Sequence, residues 1–179
     1  NSSDAHDKHA RWSPDGSKVA FVSDRSGEEQ LYLVDQSGRG KPEALTTRHK
    51  VMLGAPEWSP DGKRLAYSDK DGKLFVLTVE SGAVVEIVDS PRGGIFDYTW
   101  SACSGHLAFT MTESNDFGRL HIWSAADGKV RPITDPFFDV GSPTWDPEGK
   151  YLYYLSRREF APQISSIEWN YAGSHDVQA

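Results

Sequence analysis

Glu57-Trp58-Ser59-Pro60-Asp61-Gly62, running on into Arg64-Leu65-Ala66-Tyr67, decides the fold of this 179-residue chain, because the chain writes the same phrase four times. Repeat one reads Arg11-Trp12-Ser13-Pro14-Asp15-Gly16 and then Lys18-Val19-Ala20-Phe21. Repeat three reads Thr99-Trp100-Ser101 and then His106-Leu107-Ala108-Phe109. Repeat four reads Thr144-Trp145-Asp146-Pro147-Glu148-Gly149 and then Tyr151-Leu152-Tyr153-Tyr154. The tryptophans of these four phrases are 46, 42 and 45 residues apart. A period of that length, built of short apolar runs and tight turns, is the pattern of a β-propeller blade.

Repeat two shows how one period becomes one sheet. Trp58 ends a short strand a, and Pro60-Asp61-Gly62 turns the chain. Proline fixes φ there, aspartate bonds its own backbone and glycine takes positive φ. Residues 64–68 follow as strand b, with Leu65 and Tyr67 on one face. Asp71-Gly72 turns into strand c (74–78), and Ser81-Gly82 turns into strand d (84–88). Repeat one gives strands at 18–23, 31–35 and 43–46, and repeat three at 106–112, 120–124 and 130–134. The expected fold is therefore all-β: a single propeller segment over residues 1–179, made of four-stranded antiparallel blades at roughly 5–47, 48–89, 90–135 and 136–179. One such sheet buries neither face alone, so neighbours must stack, and the four tryptophans are expected to be buried in equivalent positions between blades, at ~150–250 Å² each.

Two repeats depart from the pattern. In repeat three the turn reads Ala102-Cys103-Ser104-Gly105, with proline and aspartate lost and glycine one place later, so a different turn type is expected. In repeat four, residues 164–169 can serve as strand c, but no run after Tyr171 reads as strand d. The expectation is an arc of a longer, six- or seven-bladed ring whose end faces await neighbours. A closed four-bladed ring is the alternative.

The bulk numbers exclude several function classes. The net charge is −7, without a cluster of lysine and arginine, so nucleic acid is not an expected partner. No apolar run is long enough to span a bilayer as a helix. Cys103 is the lone cysteine, which excludes an internal disulfide and leaves the compartment, cytoplasm or periplasm, open. The chain begins at Asn1, so it is expected to be a processed or excised piece.

Catalytic chemistry was sought residue by residue. His6 and His9 form a His-x-x-His pair with no third ligand at a set spacing, and read as the solvated start of a strand. His106 and His121 read as cross-strand neighbours. Asp69-Lys70-Asp71-Gly72 resembles the opening of a calcium loop, but Glu80 is off the required spacing and hairpin chemistry accounts for the run. There is no phosphate loop and no Gly-x-Ser-x-Gly elbow. Neither a cofactor, a metal nor a catalytic residue is expected in this segment.

Function is expected on one rim. The a–b turns are constant, with tryptophan and the strand-b aromatic always nine positions apart. The b–c connections vary, at 10, 7 and 11 positions from that aromatic to the first strand-c leucine. Repeats that hold one face constant and vary the other bind with the varied face. That face would carry Arg25, Arg48, His49, Arg92, Glu113, Asn115, Phe117, Phe137, Phe138, Arg157 and Arg158. The arginines and phenylalanines in that set are the candidates for contacting a peptide or partner. The plain alternative for each is an ordinary solvated loop residue.

The Trp-Ser-Pro-Asp-Gly-x-x-hydrophobic-Ala-aromatic phrase, followed by Ser23-Asp24-Arg25, resembles the propeller repeats of the TolB and tricorn protease families across all four repeats. The tail from Tyr151-Leu152-Tyr153-Tyr154-Leu155-Ser156-Arg157-Arg158 through Phe160 and Pro162, and on to Ile167-Glu168-Trp169-Asn170-Tyr171, resembles the N-terminal propeller of tricorn-type serine peptidases. That resemblance implies a large homo-oligomeric prokaryotic peptidase. Its propellers filter or guide peptide substrates and support assembly, while the chemistry sits in a separate C-terminal domain beside a PDZ module. No catalytic residue carries over to these 179 residues. Two other functions stay open: a TolB-like periplasmic module that binds a protein partner, and a propeller that is itself the active domain, against which the missing acid–base set argues.

Overall fold

The computed structural model describes residues 4–95 and 97–157. Residues 158–179 lie outside the described set, and with them the expected strand c at 164–169 and the candidate Arg158. Fourteen strands and no helix occur among the described residues. They are β1 (Asp7–Trp12), β2 (Lys18–Ser23), β3 (Gln30–Asp35), β4 (Glu43–Ala44), β5 (Glu57–Trp58), β6 (Arg64–Ser68), β7 (Lys73–Thr78), β8 (Ala83–Asp89), β9 (Tyr98–Trp100), β10 (His106–Thr112), β11 (Gly118–Ser124), β12 (Val130–Pro132), β13 (Asp139–Trp145) and β14 (Leu152–Arg157). β1 to β4, β5 to β8 and β9 to β12 form three four-stranded antiparallel meanders, and β13 pairs with β14. This is the propeller architecture. The first strands of neighbouring sheets, β1, β5, β9 and β13, lie next to one another in that order.

Each seam between sheets is an apolar cluster drawn from both. Ala20, Val22, Leu31 and Leu33 of the first sheet meet Trp58, Leu65, Tyr67, Phe75 and Leu77 of the second. Ala66, Leu74 and Val76 meet Trp100, Leu107, Phe109 and Trp123 across the second seam. Ala108 and Leu120 meet Val140, with Trp145 and Leu152 at the margin, across the third.

The tryptophans do more than fill space. Trp58 Nε1 donates to the carbonyl of Arg11 at 3.1 Å, Trp100 Nε1 to Glu57 at 3.1 Å and Trp145 Nε1 to Thr99 at 3.3 Å. In every case the acceptor is the residue just before the tryptophan of the preceding sheet. The indole hydrogen, which burial would otherwise leave without a partner, is satisfied across the seam.

The expectation of four equivalently buried tryptophans needs correction. Trp58 and Trp100 are 8% and 5% exposed, Trp145 is half-buried and Trp12 is 61% exposed. The rings of Trp58, Trp100 and Trp145 reach toward the preceding sheet, and among the described residues no sheet precedes β1.

The a–b turns share one device. In the first three repeats the serine after the tryptophan accepts, at Oγ, the backbone N–H five residues on: Ser13 from Lys18 at 2.9 Å, Ser59 from Arg64 at 2.9 Å and Ser101 from His106 at 3.0 Å; in the fourth, Asp146 Oδ1 accepts from Tyr151 at 2.6 Å. The first two hydroxyls in turn donate to the turn aspartate, Ser13 to Asp15 and Ser59 to Asp61, both at 2.6 Å. The Ser13 hydroxyl, aided by the Ser17 amide, holds the Asp15 carboxyl down to about 2. In repeat three Cys103 Sγ takes the aspartate's place, 3.4 Å from Ser101 Oγ.

The turn type of repeat three also differs from expectation, because it does not change. Ser104 N–H donates to the Ser101 carbonyl at 2.8 Å, as Gly16 does to Ser13 at 2.9 Å and Gly62 to Ser59 at 2.8 Å. Ser104 adopts φ 58°, in the left-handed region held by Gly16 and Gly62 in their turns. A residue with a Cβ is strained there by ~1–2 kcal/mol. Two bonds to the neighbouring sheet offset the strain: Asp61 N–H donates to Ser104 Oγ at 3.0 Å, and Arg64 Nη1 to the Ser104 carbonyl at 3.0 Å.

Two consequences are measurable by denaturant titration. Trp58→Ala is expected to cost ~3–5 kcal/mol, as for other large aromatic deletions, while Trp12→Ala costs under ~1 kcal/mol. Ser104→Ala, which keeps the strain and loses the hydroxyl, is expected to cost ~0.5–1.5 kcal/mol. Ser104→Gly, which loses both, should cost less than Ser104→Ala.

Candidate functional site

In a meander the b–c and d–a connections share one rim. Here they are residues 24–29, 69–72 and 113–117, and residues 45–56, 90–97 and 133–138. The structure shows how each is held.

Phe21 and Tyr32 pair across β2 and β3 with their rings stacked 5.9 Å apart. Arg25 lies over both, its guanidinium carbon 5.0 Å from one centroid and 4.9 Å from the other. Its Nη2 donates to both oxygens of Asp7, at 2.8 and 3.0 Å, and its Nε to Ser23 Oγ at 2.9 Å. Arg25 is therefore a half-buried lid over an aromatic pair, tied down by a carboxylate.

The same cross-strand pair recurs as Tyr67 and Phe75 in the second sheet, stacked at 5.2 Å. His49 stands edge-on to both rings, and its Nε2 is 2.9 Å from Tyr67 Oη. Burial pushes the Tyr67 phenol far up and the His49 imidazole down, and the two side chains share that hydrogen bond. Gln30 fixes the histidine's loop. It is nearly fully buried, donates from Nε2 to the His49 carbonyl at 2.8 Å and accepts from Thr46 Oγ1 at 2.8 Å. Arg48 and Lys50 flank His49, and Gln30, Tyr32, Thr46 and these three line a cavity of about 500 Å³.

In the third sheet the pair is Phe109 and His121, stacked at 5.6 Å. His121 donates from Nδ1 to the Arg119 carbonyl at 3.0 Å, and its Nε2 lies 3.5 Å from Glu113 Oε1. Burial lowers its pKa. His106, read from sequence as its neighbour, instead pairs with Ser124.

The remaining loops are pinned to one another. Arg92 Nη2 donates to the Ser114 carbonyl at 2.9 Å and its Nη1 is 3.5 Å from Asp116. Asn115 Nδ2 donates to the Pro136 carbonyl at 2.7 Å. Asp139 accepts from the Gly118 N–H at 2.9 Å, where a Cβ on residue 118 would strike the Val140 carbonyl. Phe117 is half-buried, while Phe138 is exposed and Phe137 stands 75% exposed. Arg157 sits exposed at the end of β14, opposite Asp139.

The structure thus sorts the sequence candidates. Arg25 and Arg92 brace loops, and Arg48, Phe137, Phe138 and Arg157 face outward. Sequence reasoning missed Gln30 and Asp7, which do the bracing. Gln30 left one trace, a polar residue immediately before the apolar run of strand c.

Among the described residues, no three histidine, cysteine, aspartate or glutamate side chains converge as metal ligands do. Cys103 is exposed in a turn on the other rim.

The buried histidines set a pH dependence. A folded-state pKa below the free value of 6.5 means the unfolded chain binds more protons. The stability tied to neutral His49 and His121 is therefore complete above pH 6.5 and lost as pH falls below it. Glu57, whose carboxyl burial raises, acts in the opposite direction. His49→Gln is expected to shrink the stability difference between pH 7.5 and pH 5.5, read as denaturation midpoints.

The second β-propeller domain of tricorn protease matches residues 1–177. A tricorn protease homolog of Saccharolobus solfataricus is 30% identical over 146 residues, covering 80% of this chain and 13% of that protein. A TolB homolog of Chlorobium chlorochromatii is 30% identical over 146 residues, covering 80% of this chain and 32% of that protein. The chain therefore spans about a third or less of these relatives. The crystal structure of tricorn protease superposes at a TM-score of 0.78 and 23% identity, over 89% of this chain and 16% of that one. TolB from Acinetobacter baumannii superposes at 0.66 and 22%, over 90% and 40%. These structures share the fold, and the match over nearly the whole length gives the lineage: the chain belongs to the family of the second β-propeller domain of tricorn protease.

Proposed function

We propose that this propeller is a non-catalytic part of a tricorn-type serine peptidase, where its varied rim filters or guides peptide substrates and its blades scaffold a homo-oligomeric assembly. The observation that carries the reading is the exposed pair Phe137 and Phe138 on a loop pinned by Asn115. An apolar patch on a braced loop is a ready contact surface, because little ordering entropy is lost when a chain docks on it. Arg48, Arg157 and Arg158 supply cations that suit peptide carboxylates and carbonyls. Phe117 is half-buried, and Arg25 and Arg92 keep the rim in shape. Peptide hydrolysis itself belongs to a peptidase domain outside these residues, accompanied by a PDZ module.

The test uses the intact peptidase. Phe137→Ala with Phe138→Ala is expected to lower kcat/KM about tenfold for long unstructured peptides and to leave a short reporter peptide unaffected. Equal effects on both substrates, or none on either, would overturn the filter reading.

The TolB match at 30% identity favours a second reading, a module that binds a folded protein partner. In that case the same double variant would weaken a pairwise complex and leave proteolysis unchanged.

A further inference from the structure

Each described meander ends on its fourth and outermost strand, and the three outer strands differ in length. β4 has two residues and β12 three, while β8 has seven. Shortness and proline are ways of blunting a free sheet edge. β12 ends on Pro132, and Pro42 stands just before β4. β8 has neither protection. It reads Ala-Val-Val-Glu-Ile-Val-Asp, rich in β-branched residues that favour pairing. What guards it is one mid-strand charge, Glu86, and a shift of register beyond that residue; residues 83–86 form a regular ladder with β7.

The second sheet has a neighbour on each face, and its outer margin still stands clear of both. Val84 sits opposite Leu77, which packs into the seam with the first sheet, and Val85 opposite Val76, which packs into the seam with the third. Leu77 and Val76 are buried, but Val84 is 41% and Val85 56% exposed. Directly opposite residues share a face, so the two valines leave both faces of this margin apolar and uncovered. They flank a strand that has no ladder on its far side among the described residues. The charge here is acidic. Between residues 73 and 89 there are three carboxylates, Glu80, Glu86 and Asp89, and one ammonium, Lys73. Lys73 is shared by Glu86 at 2.9 Å and Asp89 at 3.2 Å, which leaves Glu80 without an ion pair among the described residues.

We propose that β8 is a docking edge, on which an extended, basic segment of another polypeptide adds as a fifth strand of the second blade. The inference concerns the outer margin of the blade and does not draw on the loop rim. Main-chain bonds to the free edge supply affinity, and side chains alternating along the added strand supply specificity. Apolar or β-branched residues of that segment cover Val84 on one face and Val85 on the other. Its lysines or arginines meet Glu80 and Glu86, whose field also raises the rate of encounter. The same carboxylates disfavour a second copy of this chain, which carries a net charge of −7 and would bring an equally acidic edge against this one.

Fluorescence anisotropy of a dye-labelled Lys-Val-Thr-Val-Thr-Val-Lys peptide, titrated with the 179-residue chain, tests this beside the same peptide with glutamate at both ends. The lysine peptide is expected to bind at least about tenfold more tightly than the glutamate peptide, and added salt should narrow the gap. Hydrogen exchange on the complex should slow within residues 83–89 and stay unchanged in β4 and β12. Val85→Lys, checked for its β-sheet circular dichroism, should weaken the lysine peptide about tenfold. Glu80→Gln with Glu86→Gln, which leaves the valines in place, should reduce the preference between the two peptides. The proposal is overturned if the lysine peptide does not bind, if both peptides bind equally, or if protection falls outside β8. It is also overturned if the chain alone self-associates in sedimentation and Val85→Lys abolishes that association, since the occupant would then be a second copy.

Discussion

One hydrogen bond, from an indole N–H to the carbonyl before the previous tryptophan, organises this protein. It fixes which way each ring points and how far apart neighbouring first strands lie. A tryptophan buried without that bond would leave a donor unsatisfied, and a phenylalanine in its place would fill the seam without setting its register. The repeat length follows from the same bond, since each link joins residues 43 to 47 positions apart.

The two rims use different physics. On the turn rim, one serine–aspartate device is repeated with little variation, and where Cys103 and Ser104 replace the usual residues the backbone keeps its shape. On the loop rim nothing is repeated except the stacked aromatic pair beneath it. Each loop is held by its own contact: Arg25 on Asp7, Gln30 on the His49 carbonyl, Arg92 on the Ser114 carbonyl and Asn115 on the Pro136 carbonyl. A constant rim built from local hydrogen bonds leaves the other rim free to vary in length and chemistry without disturbing the seams.

The blade pattern was legible because it is local. Turn chemistry, alternation and the tryptophan spacing all act within a few residues, and they gave the meanders with small errors at strand ends. The fate of Trp12 was not legible, since burial depends on a neighbouring sheet that the repeat itself does not encode. The Ser104 turn was misread because sequence favours glycine at positive φ, whereas here cross-seam bonds to Asp61 and Arg64 hold a serine there. On the rim, variable length marked the loops, and the exposed Phe137 and Phe138 stood out as apolar residues among polar ones. Arg25 read as a loop cation, and its stacking on Phe21 and Tyr32 depends on a pairing register that composition does not reveal.

The seams also define how the molecule comes apart. Within a sheet, strands adjacent in sequence pair through short hairpins, so each blade is a local unit. Between sheets, each cluster joins one unit to the next and skips none. Such an array behaves as a one-dimensional chain of coupled cells, with cooperativity set by the seams rather than by a shared centre. Weakening the seam at Trp100 would divide the arc into two shorter arcs, each retaining its own intact links, whereas the same loss in a single-core domain would melt the whole.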